Sequence, residues 1–452
     1  MQIDPPSSST SHLPTILFII AVVLILAGGA ALVVWEIGQV TAPAPMPPPI
    51  ATHGVETAVP VSTTAALNRL AVIDGIRVYT IKPDGTDRVA FEPDGDVPTA
   101  ALIWTRDSQR LMYAQVQGTH SDLISAKPDG SDKTSVYQAD RASFPFYLNG
   151  APDDRHVAFL VSNATNSIDL RVAEIDRADS ATLIAIGQPN YVSWSPDGQS
   201  LLLHIGGTSS EAFIGTFTLG DDKPTSIDSA PADFQTPGWS PREPRQWLYA
   251  RHIDGANILI VKDGETEKTL TTFENGISFT WSPDGQRVAY AINSPSSFFF
   301  EALTVIGRDG RDLKIVNKGD VLAFFWSPDS TKLAYLTGSI IQRGPVGKAG
   351  GLAAPAAQRG SALQMTWHVY DLVRGTRFDL NTFEPTQAFL YLVQYFDQFA
   401  QSIALWSPDS RALVYAGEPL VGERGVYIVD ALTQHAEPTF VGPGEFAIWS
   451  WH

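Results

Sequence analysis

Nine histidines and a recurrent aspartate are the residues of this chain best suited to chemistry, and their spacing argues against most of it. The histidines fall at 12, 53, 120, 156, 204, 252, 368, 435 and 452. None forms the His-x3-His pair that sets two imidazoles on one helix face, so a helical zinc site is not expected. No cysteine occurs, which removes disulfides, a thiolate nucleophile and cysteine-ligated metals. No Gly-x-Ser-x-Gly turn presents a serine for acyl transfer, and no phosphate-cradling or dinucleotide fingerprint is present. The recurrent aspartates, Asp107, Asp153, Asp197, Asp284, Asp329 and Asp409, could suggest calcium ligands or a ring of carboxylates. Each instead follows an apolar segment, where a tight turn uses a short acceptor side chain to bond its own backbone. No cofactor is expected. An enzymatic reading survives only as a site assembled from several repeats around a shared central channel.

The aspartates belong to a motif that appears eight times. Its best copies read Trp-Ser-Pro-Asp-Gly at 194–198 and 281–285 and Trp-Ser-Pro-Asp-Ser at 326–330. The tryptophan position falls at 104, 150, 194, 239, 281, 326, 406 and 449, with Gly150 in place of the indole. The intervals are 46, 44, 45, 42, 45, 80 and 43 residues, the length of a four-stranded propeller blade. An apolar strand ends at the tryptophan, Pro fixes φ, Asp bonds the turn, and Gly supplies positive φ. Ser108, Asp154, Ser330 and Ser410 replace that glycine and predict less ideal turns. Asp-Gly hairpins at 82–87 and 127–132 supply the outer strand pairs. At strand ends and blade period the tryptophans read as packing between units, rather than as sugar-binding platforms. Residues 69–91 look like three strands lacking a first one, and 445–452 like a first strand lacking the rest. Joining them closes a ring and hides two open edges. The expected fold is therefore all-β, an eight-bladed β-propeller, with seven as the alternative count because the unit at 149–160 lacks its tryptophan.

These repeats resemble the TolB-like propeller family across residues 69 to 452, most closely at 194–198, 281–285 and 326–330. The resemblance implies an extracytoplasmic location and protein-binding roles. It also carries differences: TolB pairs a six-bladed propeller with a separate N-terminal domain, whereas this chain begins with an apolar run. Similar propellers occur in dipeptidyl-peptidase-like enzymes, which carry an attached hydrolase domain; with no Gly-x-Ser-x-Gly turn in the sequence, such a domain is not expected here.

The 80-residue interval contains one unit with two additions. Segment 338–362 reads as a flexible loop with Arg343, Lys348 and Arg359 and no acid. Segment 385–402 has helical spacing and would set Phe389, Leu392, Val393, Phe396 and Phe399 along one stripe. Together these form the candidate site for a protein partner; in the competing account the helix plugs one end of the propeller. The run Phe298–Phe300 is either core or loop tip.

Composition agrees with buried β structure: 44% hydrophobic, 17% charged, 36 Gly and 32 Pro. A net charge of −17 argues against a nucleic-acid partner. Residues 16–35 form twenty uncharged positions, about 30 Å as a helix, enough to cross a bilayer. The fifteen residues before them lack Lys and Arg, so an uncleaved anchor is expected rather than a signal peptide. A Pro-rich spacer follows, 36–67, and then the body, 68–452. The first functional reading is a membrane-anchored, extracytoplasmic scaffold or protein-binding module, such as an accessory subunit of an envelope complex. The second is an enzyme or small-ligand sensor using the central channel.

Overall fold

The repeated turn builds the architecture. In the computed structural model, strands Leu102–Trp104, Pro145–Gly150, Asn190–Trp194, Gly238–Trp239, Ile277–Trp281, Lys314–Trp326 and Phe446–Trp449 all end on the motif's tryptophan position. The description covers residues 68–452 except Thr99, 164–166 and 343–360. The expected span 16–35, its N-terminal tail and the 36–67 spacer lie outside these residues. Among the described residues no helix is long and apolar enough to cross a membrane.

After each tryptophan the aspartate closes the turn on itself. Ser195, Ser282, Ser327 and Ser407 each donate from Oγ to the following Asp Oδ1 at 2.6 Å, as does Thr105 Oγ1 to Asp107. Asp153 accepts from the backbone N–H of Arg155 at 2.9 Å. The six recurrent aspartates are thus used by their own turns. The residue after each aspartate is left-handed: Gly198 (φ +69°) and Gly285 (φ +67°), but also Ser108, Asp154, Ser330 and Ser410 (φ +56° to +60°). The strain at those four non-glycine positions is offset by a bond that glycine cannot make. Their side chains accept backbone N–H groups from a neighbouring turn: Trp451 N to Ser108, Asp107 N to Asp154, Asp284 N to Ser330 and Asp329 N to Ser410, at 2.8–3.1 Å.

The strands form antiparallel sheets, five of four strands and one of ten. The ten-stranded sheet contains three tryptophan-turn units. They merge because Lys314–Trp326 runs uninterrupted from the outer edge of one unit to the inner edge of the next, and because Thr376–Pro385 pairs with Ala412–Pro419. Phe446–Trp449 pairs with Leu70–Asp74 in the register Leu70↔Trp449 and Ile73↔Phe446, completing a sheet from both ends of the body and hiding both edges. Neighbouring units are also joined through indoles: Trp194, Trp281 and Trp406 donate from Nε1 to the carbonyls of Asn149, Gly238 and Phe325 at 2.9–3.1 Å. Four-stranded sheets linked in cyclic order and closed in this way define a β-propeller.

The additions in the long interval differ from expectation in one respect. Strands Lys332–Gln342 and Ser361–Asp371 pair in register from Lys332↔Asp371 to Gln342↔Ser361. Residues 338–342 and 361–362 are therefore hairpin, and only the tip of the expected loop lies outside the described residues. Phe298 is exposed, whereas Phe300 opens a strand.

Candidate functional site

The helical spacing at 385–402 becomes two short helices, α1 (Gln387–Gln394) and α2 (Phe396–Phe399). Thr386 caps α1 by accepting from Phe389 N at 3.1 Å, while its own hydroxyl donates to Glu445 O at 2.6 Å. The apolar stripe turns inward. Phe396 packs against Phe300, Phe324 and Phe325 with ring centroids 4.6–6.1 Å apart, Phe399 against Tyr147 at 5.3 Å, and Phe389 against Trp367 and Phe383. Polar contacts reach still other units: Tyr147 Oη donates to Gln398 O at 2.9 Å, Gln401 Nε2 to Pro237 O at 3.2 Å, and Arg106 to Gln401 O. A segment that touches inner strands from across the ring lies on its axis.

This corrects the expectation that Phe389, Leu392, Phe396 and Phe399 offer an exposed docking stripe. All four are at most 2% exposed, because the inner strands leave an apolar channel that these side chains fill. The basic residues Arg343, Lys348 and Arg359 lie outside the described residues.

One charged group is carried into the plug. Asp397 is buried, accepting from Gln398 N at 2.9 Å and, more loosely, from Thr236 N at 3.4 Å. Burial pushes its carboxyl up to about 7, against the pull of those two N–H groups. Burial also raises the neighbouring Tyr147 and Tyr191 hydroxyls, and the charge of Asp397 adds to both effects.

Beyond the plug, on the face carrying the tryptophan turns, the axis opens into a vestibule of about 590 Å³. Its rim is set by the residue two positions after the tryptophan. That residue is Pro in six units (152, 196, 241, 283, 328, 408), Arg106 in the first and Trp451 in the last. These two exceptions meet, with the Arg106 guanidinium 3.9 Å over the Trp451 ring. Burial draws the Arg106 pKa down to about 10, so it remains cationic at neutral pH. Arg242 and His452 also line the space, and no Asp or Glu does. Among the described residues no group of three His, Cys, Asp or Glu side chains could hold a metal ion.

Sequence reasoning offered a central channel as its second reading but named neither the residues that line the vestibule nor the buried acid. Arg106 and Trp451 are visible as breaks in the proline column once the repeats are aligned. Asp397 is legible as an acid between Phe396 and Phe399. Neither signal says that the segment enters the channel.

No family model matches the chain, and no curated protein matches it. Among solved structures it is similar to TolB from Acinetobacter baumannii, with TM-score 0.34 and 14% identity over 56% of this chain, spanning 64% of that one. It is similar to the β-propeller domain of the Trilobed protease from Pyrococcus furiosus, with TM-score 0.40 and 11% identity over 67% of this chain and 86% of that one. A third is an oligogalacturonate lyase from Vibrio parahaemolyticus, with TM-score 0.42 and 10% identity over 83% and 86% of the two chains. The class assigned here, a β-propeller with an occupied axis, rests on this chain's own strand order and closure.

Proposed function

We propose that this protein is an eight-bladed propeller of the TolB-like repeat type, tethered by residues 16–35 and acting as an extracytoplasmic protein-binding module, an accessory subunit of an envelope assembly. Seven strands ending on the tryptophan position, with Trp406 bridged to Leu413 in the remaining unit, support the blade count. The twenty uncharged residues support the tether. Membranes washed with carbonate should retain the full-length chain.

The observation that carries the binding reading is the hairpin Lys332–Gln342 and Ser361–Asp371. Its eleven-residue strands are longer than the strands of five to eight residues common elsewhere in the ring, and the extra length leads to the 343–360 tip. No blade needs that extension. The tip contributes three cations and no acid to a body whose residues 69–452 carry 31 bases against 45 acids, a local charge suited to steering an acidic partner.

The test replaces 343–360 with a short Gly-Ser linker in the full-length protein and compares the partners recovered by pull-down from native membranes. Unchanged melting with loss of one or more specific partners is the expected result. An unchanged partner set would remove the hairpin tip from the function.

A further inference from the structure

The hairpin of the Trp326 unit outgrows its blade, and the part that does so has open edges. Lys314–Trp326 pairs with Lys332–Gln342 only as far as Val321↔Thr337, and Thr376–Pro385 pairs with Ser361–Asp371 only as far as Met365↔Phe383. Beyond that point Thr376–Pro385 turns away to Ala412–Pro419. The ladder between the two hairpin strands continues from Gly338↔Met365 to Gln342↔Ser361 without a register shift. Among the described residues no third strand pairs with 338–342 or with 361–364. At about 3.3 Å per residue, the ribbon stands ~15 Å beyond the blade.

Such an edge is normally blunted by charge, proline or a bulge. Other outer strands of the ring follow that rule. Thr266–Phe273 carries Glu267 and Lys268, Thr376–Pro385 carries Arg377 and Asp379, and each has a register shift against the strand inside it. The projecting ribbon has none of these devices. Positions 338–342 read Gly-Ser-Ile-Ile-Gln and 361–364 read Ser-Ala-Leu-Gln, without charge or proline. A two-stranded ribbon is marginal in water by itself, so a third strand would stabilise it.

One face of the ribbon is apolar. A Cβ at Gly338 would fall 2.6 Å from the Phe299 ring and 2.7 Å from Leu322, so both side chains lie against that backbone. Ile340, two positions on, shares that face, and Leu363 stands opposite it. Phe299 carries Phe298, with ring centroids 4.1 Å apart. Phe298 is 47% exposed and Ile340 38%. An open backbone edge beside an apolar face selects an extended segment, whose main chain supplies affinity and whose alternate side chains supply specificity. The lack of charge along the edge selects a segment uncharged at its centre. The edge is also continuous with a formed ladder, since 333–337 is paired on that same side.

We propose that the 338–342 edge takes up an extended strand of a partner protein, uncharged over the length of that edge and apolar at alternate positions. The added strand continues the ladder beyond Val321 and lays its apolar side chains beside Ile340 and Phe298. This rests on the hairpin as the partner-binding element and names how it binds, without involving 343–360.

The probes are short peptides of Thr alternating with Val, Ile or Phe, capped and flanked by lysine, titrated calorimetrically into the full-length protein in detergent. At least one should bind with Kd below about 1 mM and slow amide hydrogen exchange at 338–342. N-methylation of one alternate set of its backbone nitrogens should weaken it about tenfold or more, and of the other set should be tolerated, because only one set faces the edge. Ile340→Lys and Phe298→Ala, both at exposed positions, should weaken it severalfold with unchanged melting. Replacing 343–360 with the Gly-Ser linker should leave peptide affinity unchanged, whatever that replacement does to the pull-down, so the two readings fail separately. No binding by any peptide, indifference to N-methylation, or affinity unmoved by Ile340→Lys would overturn the proposal. So would binding that appears only after 343–360 is replaced, which would make the chain's own tip the occupant. A full-length dimer that Ile340→Lys dissociates would overturn it too, the occupant then being a second copy.

Discussion

In the turns of the ring, Ser108, Asp154, Ser330 and Ser410 stand where other copies have glycine, and each ties its turn to a neighbouring one. On the axis, by contrast, Phe396, Asp397 and Phe399 have no counterpart in the other units. Their identities answer to the space between inner strands rather than to a repeated backbone geometry. Substitution within the ring is tolerated when it restores a neighbour contact. Substitution on the axis has no such template, so its cost is set by the cavity it leaves. The vestibule follows the same division: Arg106 and Trp451 depart from the repeated proline, and both line it.

The comparison breaks most visibly if the plug is not part of the core. Phe396→Ala removes a buried ring touching three other phenylalanines, and should cost about 3–5 kcal/mol. Phe298→Ala, at an exposed position, should stay within about 0.5 kcal/mol. Denaturant unfolding of both variants measures the difference. Equal midpoints would mean that the axial segment is a loosely held insertion and that the ring stands without it.

A smaller effect depends on pH. The native state holds the Asp397 proton up to about pH 7, while an unfolded chain releases it near pH 4 (~3.9). Between these values the native state binds more protons, so this group's contribution to stability falls as pH rises. The shift corresponds to a few kcal/mol at most. His204 and His368, lowered chiefly by burial, act in the opposite sense up to about pH 6.5, so the test is a difference between variants. Asp397→Asn should gain on the wild type in melting temperature between pH 5 and pH 8. A constant gap across that range would show that Asp397 does not titrate there.

How much of this was legible follows from what repeats and what does not. The period, the turn chemistry and the pairing of 69–91 with 445–452 could be read directly, because each is a local pattern occurring many times or an edge requiring a partner. The helical spacing of 385–402 was equally legible. Its destination was not: an apolar stripe on Phe389, Leu392, Phe396 and Phe399 fits a core and an interface equally well, and only the inner strands of distant units decide between them. The turns at Ser108, Asp154, Ser330 and Ser410 were expected to be less ideal. The compensating bonds run between units, where sequence spacing says nothing about geometry.

The smallest effect sharpens the account of the turns. Gly198 and Ser330 share a left-handed backbone, but their surroundings differ. A Cβ at Gly198 would meet the backbone N of Asp153 at 2.9 Å, so Gly198→Ala combines the left-handed penalty of about 1–2 kcal/mol with a clash against backbone. Ser330→Ala keeps an L side chain in the left-handed region and abandons the Asp284 N–H, worth about 0.5–1.5 kcal/mol. Ser330→Gly abandons the same bond but relieves the conformation, while adding about 0.4–1 kcal/mol of unfolded-state entropy. The expected order of destabilisation is Gly198→Ala, then Ser330→Ala, then Ser330→Gly, the last within about 1 kcal/mol of wild type. Unfolding midpoints of the three variants give that order. If Ser330→Gly proved as costly as Ser330→Ala, the link between turns would outweigh the backbone strain, and the serine copies would be fasteners of the ring. If Gly198→Ala proved neutral, the left-handed turn would not be what selects glycine in this repeat.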